Sequence, residues 1–257
     1  MNAGTAKPSV AELKEVKHHF IDSLSIHEPY NVGQFEIESL NCLDKLYAKH
    51  DVAVAVGGSG LFIDALCYGL DQLPECDPDL RNELKKLFAE QGIDALQNKL
   101  SQLDFEYYQT VDRSNPHRLI RAIEVCLLTG MNYSDLRKKK KKERDFAIIK
   151  IGLDEERAEA YRKINERVDA MIDGGLQEES KTLYPHRQLN ALQTVGYQEM
   201  FDYLQNKISF QETIELIKRN TRRYAKRQLT WFRKDKETSW FRPDQVTEII
   251  KDINDKM

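Results

Sequence analysis

The run Val52-Ala53-Val54-Ala55-Val56 contains no polar residue and ends in Gly57-Gly58-Ser59-Gly60. An apolar segment of this kind, closed by glycines, predicts a strand over 51–58 buried on both faces of a parallel sheet. A helix should follow from Leu61 to about Gly69. A second buried strand is predicted over Phe146–Leu153 and a short third at Ser239-Trp240-Phe241. Between them, apolar residues recur at helical spacing over 78–91, 93–103, 116–128, 155–172, 176–184, 197–206 and 210–232. Strands separated by helices predict an α/β fold, a parallel-sheet core layered with helices. The stretch 155–206 carries no strand signal and is expected to form a helical insertion or lid, leaving 1–154 and 207–257 as the core.

The last long helical segment has a second property. Nine basic residues lie between Lys218 and Lys236 against one acid, Asp235, although the whole chain carries a net charge of -3. Ile214, Ile217, Thr221 and Tyr224 follow the spacing of a buried stripe. Arg219, Arg223 and Arg227 repeat at i, i+4 on another face, with Arg222 and Lys226 beside them. Like charges at that spacing repel, so a polyanion would offset the cost, and Arg222, Lys226 and Arg227 are candidate phosphate or RNA contacts. The alternative is a solvated helix face.

Composition excludes several classes. Of the 257 residues 32% are charged, with 12 glycines and 7 prolines, which suits a compact helix-rich protein rather than a disordered one. No apolar run approaches the roughly 20 residues that span a bilayer, and the start carries no apolar signal-peptide core. A cytoplasmic monomer with no membrane partner is expected. Cys42, Cys67, Cys76 and Cys126 are scattered with no Cys-x-x-Cys pair, so they read as reduced thiols, and no metal ligands are predicted.

Four further segments could carry chemistry. The Gly57–Gly60 turn would let a ligand approach backbone N–H groups at a helix start, or it is a simple turn; no Gly-Lys-Ser/Thr follows it. In Asn115-Pro116-His117-Arg118-Leu119-Ile120-Arg121, Asn and Pro begin a helix on which Arg118, Arg121 and Glu124 share one face. Two arginines near a helix start oppose its dipole, which favours a negatively charged partner over a surface ion-pair array. Arg162 or Arg167, on a helix stopped by Gly174-Gly175, could clamp a diphosphate. Tyr197, after Gly196, could stack on a base or fill the core. The run Arg137–Arg144, with seven cations and one acid, reads as a solvated loop.

Together these segments resemble the tRNA dimethylallyltransferases, also called tRNA isopentenyltransferases. The matching motifs are Gly4-Thr5-Ala6-Lys7-Pro8, His18-His19-Phe20-Ile21-Asp22, Val56–Phe62, Asp77-Pro78-Asp79-Leu80-Arg81, Asn115–Glu124, Arg167 with Gly175-Leu176 beyond it, Val195-Gly196-Tyr197 and the basic helix. They follow the family's order across nearly the whole chain. The resemblance implies a P-loop-type parallel-sheet core with a helical insertion. It also implies transfer of a dimethylallyl group from dimethylallyl diphosphate, with Mg²⁺, to N6 of the adenosine just 3′ of the anticodon in tRNAs reading codons that begin with U. Carried over by position, Ser59, Arg81, His117, Arg118, Leu119, Ile120, Arg121, Gln193, Thr194, Val195, Gly196, Tyr197 and Gln198 would contact the tRNA anticodon stem-loop. Arg167 would bind the diphosphate that leaves.

In the family, a Gly-x-Thr-x-x-Gly-Lys-Thr/Ser loop and an Asp-Ser-x-Gln-x-Tyr segment, whose Asp is the proposed general base, precede Gly-Thr-Ala-Lys-Pro. Neither occurs in these 257 residues. The expectation is therefore a shortened, weakly active or inactive chain without the first strand and the phosphate loop. The alternatives are a tRNA-binding protein without catalysis and a prenyltransferase acting on free AMP.

Overall fold

The computed structural model describes every residue except Ala6, in the Gly4–Pro8 motif, and Lys139, in the basic run. In chain order the helices are α1 (Val10–Glu15), α2 (Val32–Tyr47), α3 (Gly60–Tyr68), α4 (Pro78–Leu103), α5 (Phe105–Thr110), α6 (Pro116–Thr129), α7 (Tyr133–Leu136), α8 (Arg157–Asp173), α9 (Leu176–Leu183), α10 (Tyr197–Leu204), α11 (Phe210–Phe232) and α12 (Val246–Lys256). The strands are β1 (Ile151–Leu153) and β2 (Ser239–Phe241). Contacts divide the chain into two compact units, one of Met1–Phe35, Lys45–Ile63 and Phe146–Met257, the other of Glu36–Asp44 and Asp64–Asp145. This division does not follow the expected boundaries of 155–206. The helices of that stretch share a core with α11 and so belong to its unit.

In the second unit, helix ends are set locally. The Asp77 carboxylate accepts from the Asp79 and Leu80 amides and Pro78 occupies the first turn, so α4 starts there. Gly92, at φ 78°, breaks α4 where two separate helices were expected. Asn115 caps α6 by accepting from the Arg118 amide, and Gly130 at φ 67° ends it. Leu84, Leu96 and Leu100 are buried with Leu119, Ile123 and Val125 in one core cluster, each contributing roughly 1.5–3 kcal/mol. Lys138, Lys140 and Lys141 of the basic run are exposed, as a solvated loop would have them, but the end of the run is anchored. Lys142 Nζ and Arg144 Nη2 each donate to buried Glu36 Oε1 at 3.0 Å, and Arg144 also donates to the Ala65 and Leu66 carbonyls. A buried carboxylate needs such partners. Burial would raise the Glu36 pKa, but the bonds from Lys142 and Arg144 outweigh it and hold the group below its ordinary value.

In the first unit, α8, α9 and α10 enclose Val168, Leu176, Leu192, Tyr197, Met200 and Phe201 against Ile217 of α11. Strands β1 and β2 pair in parallel, with Ile151 opposite Ser239. Gly152 is required there because a Cβ would overlap the Trp240 ring. The predicted strand at Ser239–Phe241 is present, whereas only the last three residues of Phe146–Leu153 pair. The strand predicted over 51–58 is absent. Among the described residues no strand pairs with it, and Val54 and Val56 are 84% and 92% exposed. An extended segment becomes a strand only when a neighbour takes its amides and carbonyls. The class is α/β in composition: a small parallel sheet in a mostly helical chain. No described helix is long and apolar enough to cross a membrane.

Candidate nucleic-acid interface

In the second unit, two guanidinium groups converge on one carboxylate. Glu124 is fully buried on α6, and its Oε2 accepts from Arg81 Nη2 at 2.6 Å and from Arg121 Nη1 at 2.7 Å. Arg121 also donates to the Pro74 carbonyl at 2.8 Å and to Cys76 Sγ at 3.6 Å. Part of the negative partner expected for the α6 arginines is therefore internal, supplied one turn along the same helix. Glu124 Oε1 and Arg81 Nε have no hydrogen-bond partner among the described residues. The group carries a net charge of about +1 and leaves both arginines partly exposed. His117 and Arg118 are exposed at the start of α6. Leu119 and Ile120 are core residues, so their side chains pack inward beneath the exposed His117 and Arg118.

In the first unit, α11 lies directly on the glycine turn. Gln228 Nε2 donates to the Gly58 carbonyl at 2.7 Å, and Cβ atoms at Gly58 and Gly60 would overlap Gln228 and Trp231. These glycines leave room for α11, which is the simple-turn alternative's reason for them. Ser59 between them stays exposed. Lys7 and Asp22 form an ion pair that joins the Gly4–Pro8 and His18–Asp22 motifs.

The two candidate clamps on α8 separate clearly. Arg162 is held by Glu159 and Glu166, whose carboxylates raise its pKa. Arg167 is exposed, and among the described residues it forms no ion pair. On α11, Arg222 donates to Asn165 Oδ1 at 2.6 Å and covers the Tyr161 ring. Lys218 pairs with Asp169. Arg219, Arg223, Lys226 and Arg227 remain exposed with no described carboxylate partner.

Tyr197 is completely buried, so the base-stacking reading is corrected. Its hydroxyl donates to Glu179 Oε2 at 2.8 Å and accepts from the Gly4 amide at 3.2 Å, while Glu179 also accepts from the Asn2 and Ala3 amides. Burial first, then the bond to Glu179, raises the phenol's pKa. Burial would raise the Glu179 pKa, but the bonds from Tyr197, Asn2 and Ala3 outweigh it and lower that carboxyl. Gly196, at φ 100°, is buried and Val195 half-buried, whereas Gln193, Thr194 and Gln198 face solvent. Sequence reasoning missed the Glu179 clamp and the Glu36 latch, because neither carboxylate lies near its partners along the chain. Among the described residues no three His, Cys, Asp or Glu groups gather to hold a metal.

Comparison with known proteins matches residues 1–235 to a family profile described as IPP transferase. The tRNA dimethylallyltransferase of Christiangramia forsetii is 52% identical over 237 residues, covering 92% of this chain and 78% of that protein. That of Cytophaga hutchinsonii is 45% identical over 257 residues, covering 100% of this chain and 84% of the relative. The crystal structure of the full-length tRNA isopentenylpyrophosphate transferase from Bacillus halodurans matches with a TM-score of 0.67 at 34% identity, over 100% of this chain and 82% of that one. A eukaryotic dimethylallyltransferase acting on tRNA matches with a TM-score of 0.73 over 97% of this chain and 66% of that one. At 20% identity, that likeness concerns the fold alone.

Proposed function

Because the chain belongs to the IPP transferase family, we propose that it transfers a dimethylallyl group from dimethylallyl diphosphate to N6 of an adenosine beside the anticodon of a tRNA. The observation that carries this reading is the similarity to tRNA dimethylallyltransferases over nearly the whole chain. It acts in the cytoplasm as a monomer. The N6–carbon bond forms as the carbon–oxygen bond to diphosphate breaks, and N6 gives up its proton to solvent water. Arg167, free of ion pairs among the described residues, takes the negative charge that builds on the departing diphosphate. Arg81 and Arg121, held by Glu124, with Arg118, Ser59, Gln193 and Gln198, contact the RNA. Phosphate contacts position the strand, and the target base leaves its stack to reach the donor.

Incubating the chain with labelled dimethylallyl diphosphate and an anticodon stem-loop RNA tests this. Label in RNA is the expected result. RNA binding without any transfer would instead make the chain a tRNA-binding protein. Faster labelling of AMP than of RNA would make it a free-nucleotide prenyltransferase.

A further inference from the structure

Two histidines distant in sequence meet on the surface of the first unit. The imidazole rings of His27 and His186 lie 4.7 Å apart, centre to centre, at an interplanar angle of 89°. Both side chains are exposed, and neither has a part in the transfer reaction above. Their meeting is set from beneath. Ile26 packs against the same core cluster as Leu183 and Tyr184, so apolar neighbours anchor each histidine's segment to common ground. The backbone on both sides is closed into a turn. The Glu28 amide donates to the Ser25 carbonyl at 3.1 Å, and the His27 amide to Ser25 Oγ at 3.4 Å. His186 ends the 3₁₀ turn that begins at Tyr184, and its carbonyl accepts from the Leu189 amide at 2.9 Å. The charged neighbours along the chain are directed elsewhere: Glu28 accepts from the Ser25 amide, and Arg187 covers the Tyr184 ring.

The separation fits chelation. Zn–N bonds of about 2.0–2.1 Å in a tetrahedral site place two ligating rings roughly 5 Å apart, centre to centre. Edge-to-face rings do not yet aim two nitrogens at one point, but the outer torsion of histidine is broad. Turning one ring achieves the alignment without moving either turn. We infer that His27 and His186 form a surface site for one divalent transition-metal ion, of the zinc, nickel or copper kind, with water completing its shell. Imidazole suits these ions, whereas Mg²⁺ takes oxygen ligands. Two protein ligands are fewer than a closed structural zinc site uses, so the ion exchanges freely with solvent. Once bound, it staples the turn at His27 to the segment that leads into α10.

The test titrates the metal-free full chain by calorimetry with Zn²⁺ alone and with Ni²⁺ alone. His27→Ala and His186→Ala should each weaken binding by at least about tenfold, since losing even an outer-sphere partner costs that much. His19→Ala, which breaks up the adjacent exposed pair His18 and His19, should leave affinity unchanged. Excess Mg²⁺ should not compete. Zn²⁺ should raise the thermal midpoint of the wild-type chain but of neither His27→Ala nor His186→Ala, while all three melt together without metal. Wild-type affinity in either of those two variants, or no binding of either ion by the wild-type chain, would overturn the site. The rings would then be an aromatic contact alone, and the transfer reading would stand.

Discussion

The Tyr197 hydroxyl and the Glu179 carboxylate, 2.8 Å apart, form a partly buried clamp on the backbone amides of Asn2, Ala3 and Gly4. Two motifs far apart in sequence, Gly4–Pro8 and Val195–Tyr197, therefore meet through hydrogen bonds rather than through a ligand. A Cβ at Gly4 would overlap the Tyr197 ring, which gives that glycine its reason.

Removing the hydroxyl tests the clamp. Tyr197→Phe keeps the packing but deprives Glu179 of one donor and the Gly4 amide of its acceptor. Hydrogen bonds to charged groups contribute about 1.5–3 kcal/mol, so urea denaturation should show a loss of that order. An unchanged midpoint would show that the clamp does not stabilise the fold.

Acid should weaken both units through their lowered carboxyls. Glu36 and Glu179 have pKa values below the ordinary 4.5. The unfolded chain therefore takes up protons first as pH falls. Their contribution is fully present above about 4.5 and is lost as pH drops from there through the folded values. Urea midpoints measured between pH 7 and pH 3 should fall across that window. In Glu36→Gln the acid-dependent part of the fall should shrink, since one of the two carboxyls is gone.

The glycine turn under α11 gives a graded series. Gly60→Ala places a methyl group into Trp231 and Gly58→Ala places one into Gln228. Overpacking of this kind costs about 1–3 kcal/mol. At Gly57 a Cβ would meet Ile63 at 3.7 Å, an ordinary contact. Thermal melts should rank Gly57→Ala as the mildest of the three, with Gly60→Ala partly rescued by Trp231→Leu.

The α8 arginines should differ in catalysis. Arg167→Ala removes the guanidinium with no described ion pair and should slow transfer by about a hundredfold, with stem-loop affinity little changed. Arg162→Ala breaks only exposed pairs with Glu159 and Glu166, which are worth little. Equal losses in the two variants, read as single-turnover transfer rates, would remove Arg167 from its assigned role.

Much of the helical structure was legible because its signals are local. Asn115 with Pro116 marks the start of α6, and Gly92 marks the break in α4. Leu119 and Ile120 lie in a motif whose exposed and buried positions alternate around one helix, and their side chains fall on the buried side. Their helical phase, beside Ile123, already placed Leu119 on the apolar face. Glu36 and Glu179 left no readable mark, because a carboxylate's partners 18 to 177 residues away depend on how the chain comes together.

The chain's order of residues by itself settled the bounds of α4, α6 and α11 to within a few residues, the inward turn of Ile217 though not of the exposed Tyr224, and where positive charge collects. These follow from periodicity, capping chemistry and steric limits within a few residues. Tertiary structure alone decided that Val52–Val56 stays unpaired, that Tyr197 is buried, and which arginines are spent on internal carboxylates. Strand pairing, burial and charge neutralisation are all set by neighbours distant in sequence, and only the folded chain supplies them.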